Sequence, residues 1–264
     1  MSLTLVIGNK NYSSWSMRPW VLLKHFGIAF DEVMLKFETR EWDEQIAHLA
    51  PSRKVPTLWD GAPGSGESIA VWESIAIAEY IAEQYPQFDI WPKDPAARSL
   101  ARAMSAEMHA GFQPLRNNMP MNIRSRHPGK GMNADVAKDI ARIETLWLGA
   151  RERFGARTSA PFLFGPFCAA DAMFAPVVMR FETYAPPISA MTARYCAAMK
   201  AAPGIAEWID EAKRETEFVG FDEPYAEKPA RVIREPVSPS PRPSPEGEGE
   251  KCDAMKTDII APDR

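Results

Sequence analysis

Cysteine is scarce in this chain: three in 264 residues, Cys168, Cys196 and Cys252, widely spaced and with no CxxC pair. That excludes a zinc ribbon and a disulfide scaffold, and fits a reducing cytosol. Histidine is as sparse. His25, His48, His109 and His127 show no ligand spacing such as HExxH, so no metal is expected. No apolar run approaches the ~18 residues of a membrane-spanning helix. There is no basic excess either. With a net charge of −4 the chain is not expected to bind nucleic acid, whose phosphates need neutralising. It opens directly on a strand-like run, without a charged leader and apolar segment, which argues against secretion and for the cytoplasm. What remains is a globular composition, 45% hydrophobic and 25% charged with eight tryptophans, long enough for two modest domains and a tail.

In chain order, Leu3-Thr4-Leu5-Val6-Ile7 reads as a buried strand, and a helix starting near Ser16 runs to Gly27, a residue suited to a left-handed helix end. Phe30 to Leu35 alternates as a second strand, and Trp42, Ile46 and Leu49 share one helical face. Val55-Pro56 leads into a third strand, where a proline cannot donate to the ladder. Ser68 to Trp72 is a fourth strand and Ile75 to Tyr85 a helix. The order βαβαββα over residues 1–85 predicts a small sheet covered by helices. A proline-flanked connector spans 86–94. Residues 95–226 show only helical patterns: a long run from Pro95 to Leu115, a loop from Asn117 to Met132, and a helix from Asn133 to Phe154. A further helix from Cys168 through Arg180 follows, then two shorter ones. Residues 227–264 are rich in Pro, Ser, Glu and Gly and are expected to form a passive disordered tail.

The stretch that organises the rest is Asn11-Tyr12-Ser13-Ser14-Trp15-Ser16-Met17-Arg18-Pro19-Trp20. Three serines sit where a strand hands over to a helix, at a point where unpaired backbone N–H groups and a positive macrodipole favour an anion. Serines there are most often caps and nothing more. Proline at 19 suits the first turn, where its missing N–H is not needed.

Four features occur in order: Ser13-Ser14-Trp15-Ser16-Met17-Arg18 after strand one, Val55-Pro56 before strand three, Glu73-Ser74 at the third helix, and Cys168-Ala169-Ala170-Asp171 at a later helix start. Together they resemble the glutathione transferase superfamily, most of all its zeta class and bacterial relatives, over roughly residues 3 to 220. The resemblance implies a thioredoxin-like N-terminal domain and a helical-bundle C-terminal domain, glutathione as co-substrate, a small electrophile as second substrate, and a homodimer. It implies catalysis by Ser14 or Ser13. Counting back from Arg18, Ser14 matches the serine of theta-like enzymes and Ser13 the first serine of the zeta pair. Both stay open, with Ser14 ahead. Trp15, Lys54, Val55, Pro56, Glu73 and Ser74 would hold glutathione. Val55 would pair with the cysteinyl backbone if the Val55–Pro56 bond is cis, Ser74 would take the γ-glutamyl carboxylate, and Glu73 the γ-glutamyl amine. Met108, His109 and Phe112 are candidates for the second-substrate pocket, against the plainer reading of Met and Phe at helical spacing as core, and Arg116 for an acidic substrate.

The chemistry is legible without the name. A thiol with a pKa near ~8.5 is only a few per cent thiolate at neutral pH, and the thiolate is the nucleophile. Lowering it by two units needs ~2.7 kcal/mol, which a charge-assisted hydrogen bond plus a helix dipole can supply. Two departures count against a simple transfer. Trp15 stands where the zeta pattern has cysteine, which weakens the case for isomerase activity, and Cys168 stands where a Ser or Thr cap is usual. Glutathione-dependent peroxidase activity, or glutathione binding without turnover, is the alternative.

Overall fold

The computed structural model describes residues 2–226; the expected tail over 227–264, with Cys252, lies outside the described residues. Strand β1 (Leu3–Ile7) is buried along its whole length, as a run that is apolar but for Thr4 predicts. It pairs in parallel with β2 (Asp31–Met34) and antiparallel with β3 (Thr57–Asp60), which in turn pairs antiparallel with the edge strand β4 (Ile69–Trp72). The sheet order is therefore β2-β1-β3-β4. Helices α1 (Ser14–His25), α2 (Arg40–Leu49) and α3 (Ser74–Gln84) complete βαβαββα in the predicted order. The two sheet faces have separate cores. Val6, Leu35, Ile46 and Trp59 lie under α2, while Leu5, Ile7, Met17, Trp20 and Ile77 join the large core that continues into the helical half.

Beyond residue 94 come α4 (Pro95–Ala110), α5 (Gln113–Asn118), α6 (Ala134–Arg153), α7 (Ala169–Tyr184), α8 (Ala190–Ala201) and α9 (Pro203–Arg214). α7 is apolar nearly all round, and accordingly it is the buried axis against which α1 and α4 pack. Among the described residues no helix is long and apolar enough to cross a membrane.

Three local expectations are corrected. The first helix starts at Ser14, because Ser13 is its cap: Ser13 Oγ accepts from Ser16 N. Pro19 consequently lies in the second turn, where it leaves the Trp15 carbonyl without its intrahelical donor. The run from Pro95 to Leu115 is two helices. Pro114 cannot donate to the carbonyl of Ala110 and its ring crowds that turn, so α4 ends at Ala110, Phe112 takes φ 61°, and α5 restarts with the proline in its first turn. α7 runs four residues past Arg180, to Tyr184.

Gly27 ends α1 as expected, at φ 64° with Ile28 N donating to Leu23 O (3.0 Å).

Candidate functional site

The loop from Asn9 to Ser13 carries the site, and hydrogen bonds from distant parts of the chain hold it. Asn9 O accepts from Ser13 N (2.8 Å), closing the turn into α1, and Asn9 Oδ1 accepts from Phe37 N (2.7 Å). Asn11 Nδ2 donates to Asn122 Oδ1 (3.0 Å), Asn11 Oδ1 accepts from Arg124 N (2.8 Å), and Asn11 N donates to a Glu215 carboxylate oxygen (3.0 Å). The loop is thus stitched to the helical half before any ligand arrives.

The three serines divide their work. Ser13 Oγ donates to Ser16 Oγ (2.7 Å), and Ser16 Oγ accepts from Gly8 N (3.1 Å), so both hydroxyls are committed to the cap and the strand end. Ser14, the first residue of α1, lines a large cavity, and no hydrogen bond engages its hydroxyl among the described residues. Tyr12 lines the same cavity, but its hydroxyl is engaged elsewhere. Its hydroxyl donates to Glu223 (2.7 Å) and accepts from Arg124 Nη2 (2.9 Å).

That cavity has a volume of about 800 Å³. Ser13, Ser14 and Trp15 stand on one side, Arg53, Lys54 and Val55 on another, and Arg116, Met121 and Arg180 come from the helical half. Phe221 and Asp222, from the segment after α9, complete its rim. A second cavity of about 380 Å³ shares Trp15, Lys54 and Val55 and adds Ser52, Pro56, Glu73 and His109. The Val55–Pro56 peptide is cis. Glu73 has φ 69°, a strained conformation for a residue with a Cβ, and directly after it Ser74 begins α3. The Ser74 hydroxyl is buried and has no partner among the described residues.

The expected glutathione residues Trp15, Lys54, Val55, Pro56 and Glu73 are therefore brought together around one pair of cavities, with Ser74 at the adjacent helix start. The second-pocket expectation is corrected. Met108 and Phe112 are buried in the main core together with Met104 and Met119, because α4 turns that face toward its neighbours. His109 faces the smaller cavity, beside Glu73, rather than the larger one.

Two cations lie against the Trp15 ring. The Arg18 guanidinium lies 4.1 Å from its ring centroid and that of Arg116 4.6 Å, with the His109 ring edge-on at 5.1 Å. Arg180 joins them. Arg18 and Arg180 are almost wholly buried, and both keep guanidinium nitrogens without partners. Among the described residues no carboxylate forms an ion pair with Arg18, Arg116 or Arg180, although Asp139 and Asp222 act at longer range. Burial, and then repulsion by Arg116, pushes the Arg180 guanidinium down to about 9; burial takes Arg116 down to about 10. Arg116 and Arg180 remain cationic at neutral pH and make their side of the cavity wall positive, with Asp222 on the rim as the nearest lining carboxylate.

Sequence reasoning missed Arg180, Phe37, Trp42, Phe221 and Asp222. For Arg180 a signal existed: it is a lone arginine in the apolar run Met173 to Phe181. Cys168 and Cys196 offer no nucleophile, since burial pushes both thiols up, Cys196 to about 12. Among the described residues no cluster of His, Cys, Asp or Glu is placed to hold a metal ion.

Residues 12–84 match the family model of the glutathione S-transferase N-terminal domain. A probable maleylacetoacetate isomerase of Caenorhabditis elegans is 36% identical over 128 residues, covering 48% of this chain and 55% of that protein. The maleylacetoacetate isomerase of Rattus norvegicus is 32% identical over 107 residues, covering 39% of this chain and 46% of that protein. The chain spans about half the length of these curated relatives. In fold it is similar to a glutathione transferase homolog from Burkholderia with bound glutathione, at 24% identity and a TM-score of 0.56, covering 81% of this chain and 98% of that one. Ure2p in complex with S-hexylglutathione shares the fold at 17% identity and a TM-score of 0.60, covering 79% of this chain and 98% of that one. Residues 12–84 are thus a glutathione S-transferase N-terminal domain, set on a four-stranded sheet with helices behind it, the fold shared with these glutathione transferase structures.

Proposed function

We propose that the chain is a serine-type glutathione transferase whose second substrate is a small electrophile carrying an acidic group. The observation that carries the serine assignment is the division of labour at the start of α1. Ser13 and Ser16 spend their hydroxyls on each other and on the strand end, while Ser14 presents an unengaged hydroxyl to the cavity. Glutathione laid along Val55, with its γ-glutamyl carboxylate on Ser74 at the start of α3, would bring its sulfur toward Ser14. The Ser14 hydroxyl donates to the thiolate, the helix N-terminus adds its dipole, and the thiol proton leaves to solvent. The sulfur then forms its bond to an electrophilic carbon. In a substitution the leaving group departs with the electron pair of the bond it breaks. In an isomerisation the sulfur adds to a conjugated double bond and departs again after rotation.

The acidic group is supported by the wall opposite Ser14. Arg180 lines the cavity with a guanidinium nitrogen unpartnered, and Arg116 stands beside it. Buried cations without a direct ion pair are costly, so an anion supplied by the substrate is favoured there. The curated relatives named maleylacetoacetate isomerase point the same way. A homodimer is part of the reading and is supported by the edge strand β4, where Ile69 and Trp72 are exposed at 54% and 43%.

The test is an ultraviolet titration of the bound glutathione thiol. In the wild type the sulfur ionises at least one unit below free glutathione. Ser14→Ala moves it back by about one unit, which is ~1.4 kcal/mol, while Ser13→Ala leaves the thiol ionisation in place. Failure of glutathione to bind, or a thiol that titrates as in plain buffer, refutes the assignment.

A further inference from the structure

His109 occupies a place that neither substrate role assigned above uses. It stands in the last turn of α4, faces the smaller cavity, and brings Nε2 within 3.5 Å of a Glu73 carboxylate oxygen. That separation is longer than the ~2.7–3.2 Å of a direct hydrogen bond. Its Nδ1 is buried without a partner among the described residues. The ring packs edge-on against Trp15, which Arg18 and Arg116 in turn hold in place. Glu73 has its backbone in the positive-φ region, which sets the direction in which its half-exposed side chain leaves the chain. The imidazole and the carboxylate therefore face each other across a gap, one residue away from the unpartnered hydroxyl of Ser74.

From this juxtaposition we infer that His109 and Glu73 together form the seat for the α-ammonium of the γ-glutamyl group, with the imidazole as a neutral second acceptor. The inference rests on the glutathione reading above and deepens it. An ammonium has three N–H donors in a compact head, and one carboxylate cannot satisfy them all. A neutral imidazole adds an acceptor without adding negative charge next to the carboxylate that Ser74 would hold. It also makes the seat conditional. The groups facing the ring are Glu73 before α3, Arg18 of α1, Arg116 of α5 and Lys54 of the loop before β3. Burial depresses the imidazole most, Arg18 and Arg116 depress it further, and Glu73 opposes them, with a net shift below the ordinary value. At neutral pH the ring is uncharged. Protonation places a cation in the ammonium seat, so glutathione affinity falls as the pH drops through the His109 range.

The experiment compares the full chain with His109→Gln and His109→Phe, measuring kcat and KM for glutathione and for glutaryl-cysteinyl-glycine, which lacks only the α-amine, from pH 5 to 8. For the wild type the glutathione KM rises as the pH falls below the ordinary imidazole range toward pH 5. His109→Phe raises it about tenfold at pH 7.5 with kcat little changed, and His109→Gln, which keeps an acceptor but does not titrate, recovers most of that loss and has a flat acid limb. The amine-free analogue has a KM indifferent to position 109. An acid rise that persists in His109→Gln, or an equal loss for the analogue in His109→Phe, overturns the inference while leaving the glutathione reading standing. Absence of glutathione binding by every variant at pH 7.5, with the fold intact by circular dichroism, removes both.

Discussion

At the scale of single residues, the site assigns different fates to chemically identical groups. Ser13 and Ser14 are adjacent, yet one is a cap and the other faces the cavity. Ser13→Ala is therefore expected to cost ~1 kcal/mol of stability as the loss of a helix cap. Thermal unfolding checks this, and the bound thiol should still ionise low. Arg180 makes a second prediction. Its Nε donates to Met119 O (2.9 Å), while its Nη1 is unpartnered. Arg180→Met is expected to raise KM for carboxylate-bearing electrophiles by tenfold or more and to change KM for uncharged ones less than threefold. A parallel loss on both kinds of substrate, measured by steady-state kinetics, contradicts an anion role. The serine stretch, Val55-Pro56 and Glu73-Ser74 were legible in the sequence because they sit at strand-to-helix or strand entry points, where local chemistry is read off neighbours. Arg180 and Asp222 were not, since they reach the cavity only through the packing of α7 and of the segment after α9. Met108 and Phe112 misled for the opposite reason: an apolar stripe states that a face is buried without stating against what.

Elements ended where backbone chemistry ended them. Ser13, Asn133 and Ser189 cap α1, α6 and α8, each through a side-chain oxygen. The order and type of the strands and helices followed from periodicity, whereas the break between α4 and α5 turned on Pro114, which a long amphipathic run conceals. At the start of α7 the cap is carried by Asp171. Its carboxylate accepts from Cys168 N (3.0 Å), Leu163 N (3.1 Å) and the Tyr195 hydroxyl (3.0 Å), all buried. Asp171→Ala leaves three buried donors unpaired and is expected to cost about 3–5 kcal/mol by chemical denaturation. Cys168→Ser puts a better acceptor at the cap and is expected to gain ~0.5–1 kcal/mol. A lower melting temperature for that variant contradicts the assignment of the cap.

For the whole molecule, the edge strand β4 is the surface on which the assembly reading stands. Trp72→Glu is expected to convert a dimer to a monomer in sedimentation while keeping the circular dichroism of the fold; a wild-type chain that sediments as a monomer refutes the reading. The other large-scale feature is the segment from Glu215 to Tyr225. It is tied to the serine loop by Glu215 and Glu223, and to the helical half by Arg124 and by Tyr225, which donates to Asn118 O (2.8 Å). Between those ties it lays Phe221 and Asp222 on the cavity rim.

Those ties span most of the polypeptide: Lys10 and Glu215 are 205 positions apart. At ~5–20 residues per second, synthesis on the ribosome separates the emergence of the two partners by roughly 10–40 s. Throughout that interval a nascent chain can already pair its strands while its serine loop still lacks the carboxylates that fix it. The fixed shape of the serine loop is thus acquired only after the residues from Lys10 to Glu215 have all been made.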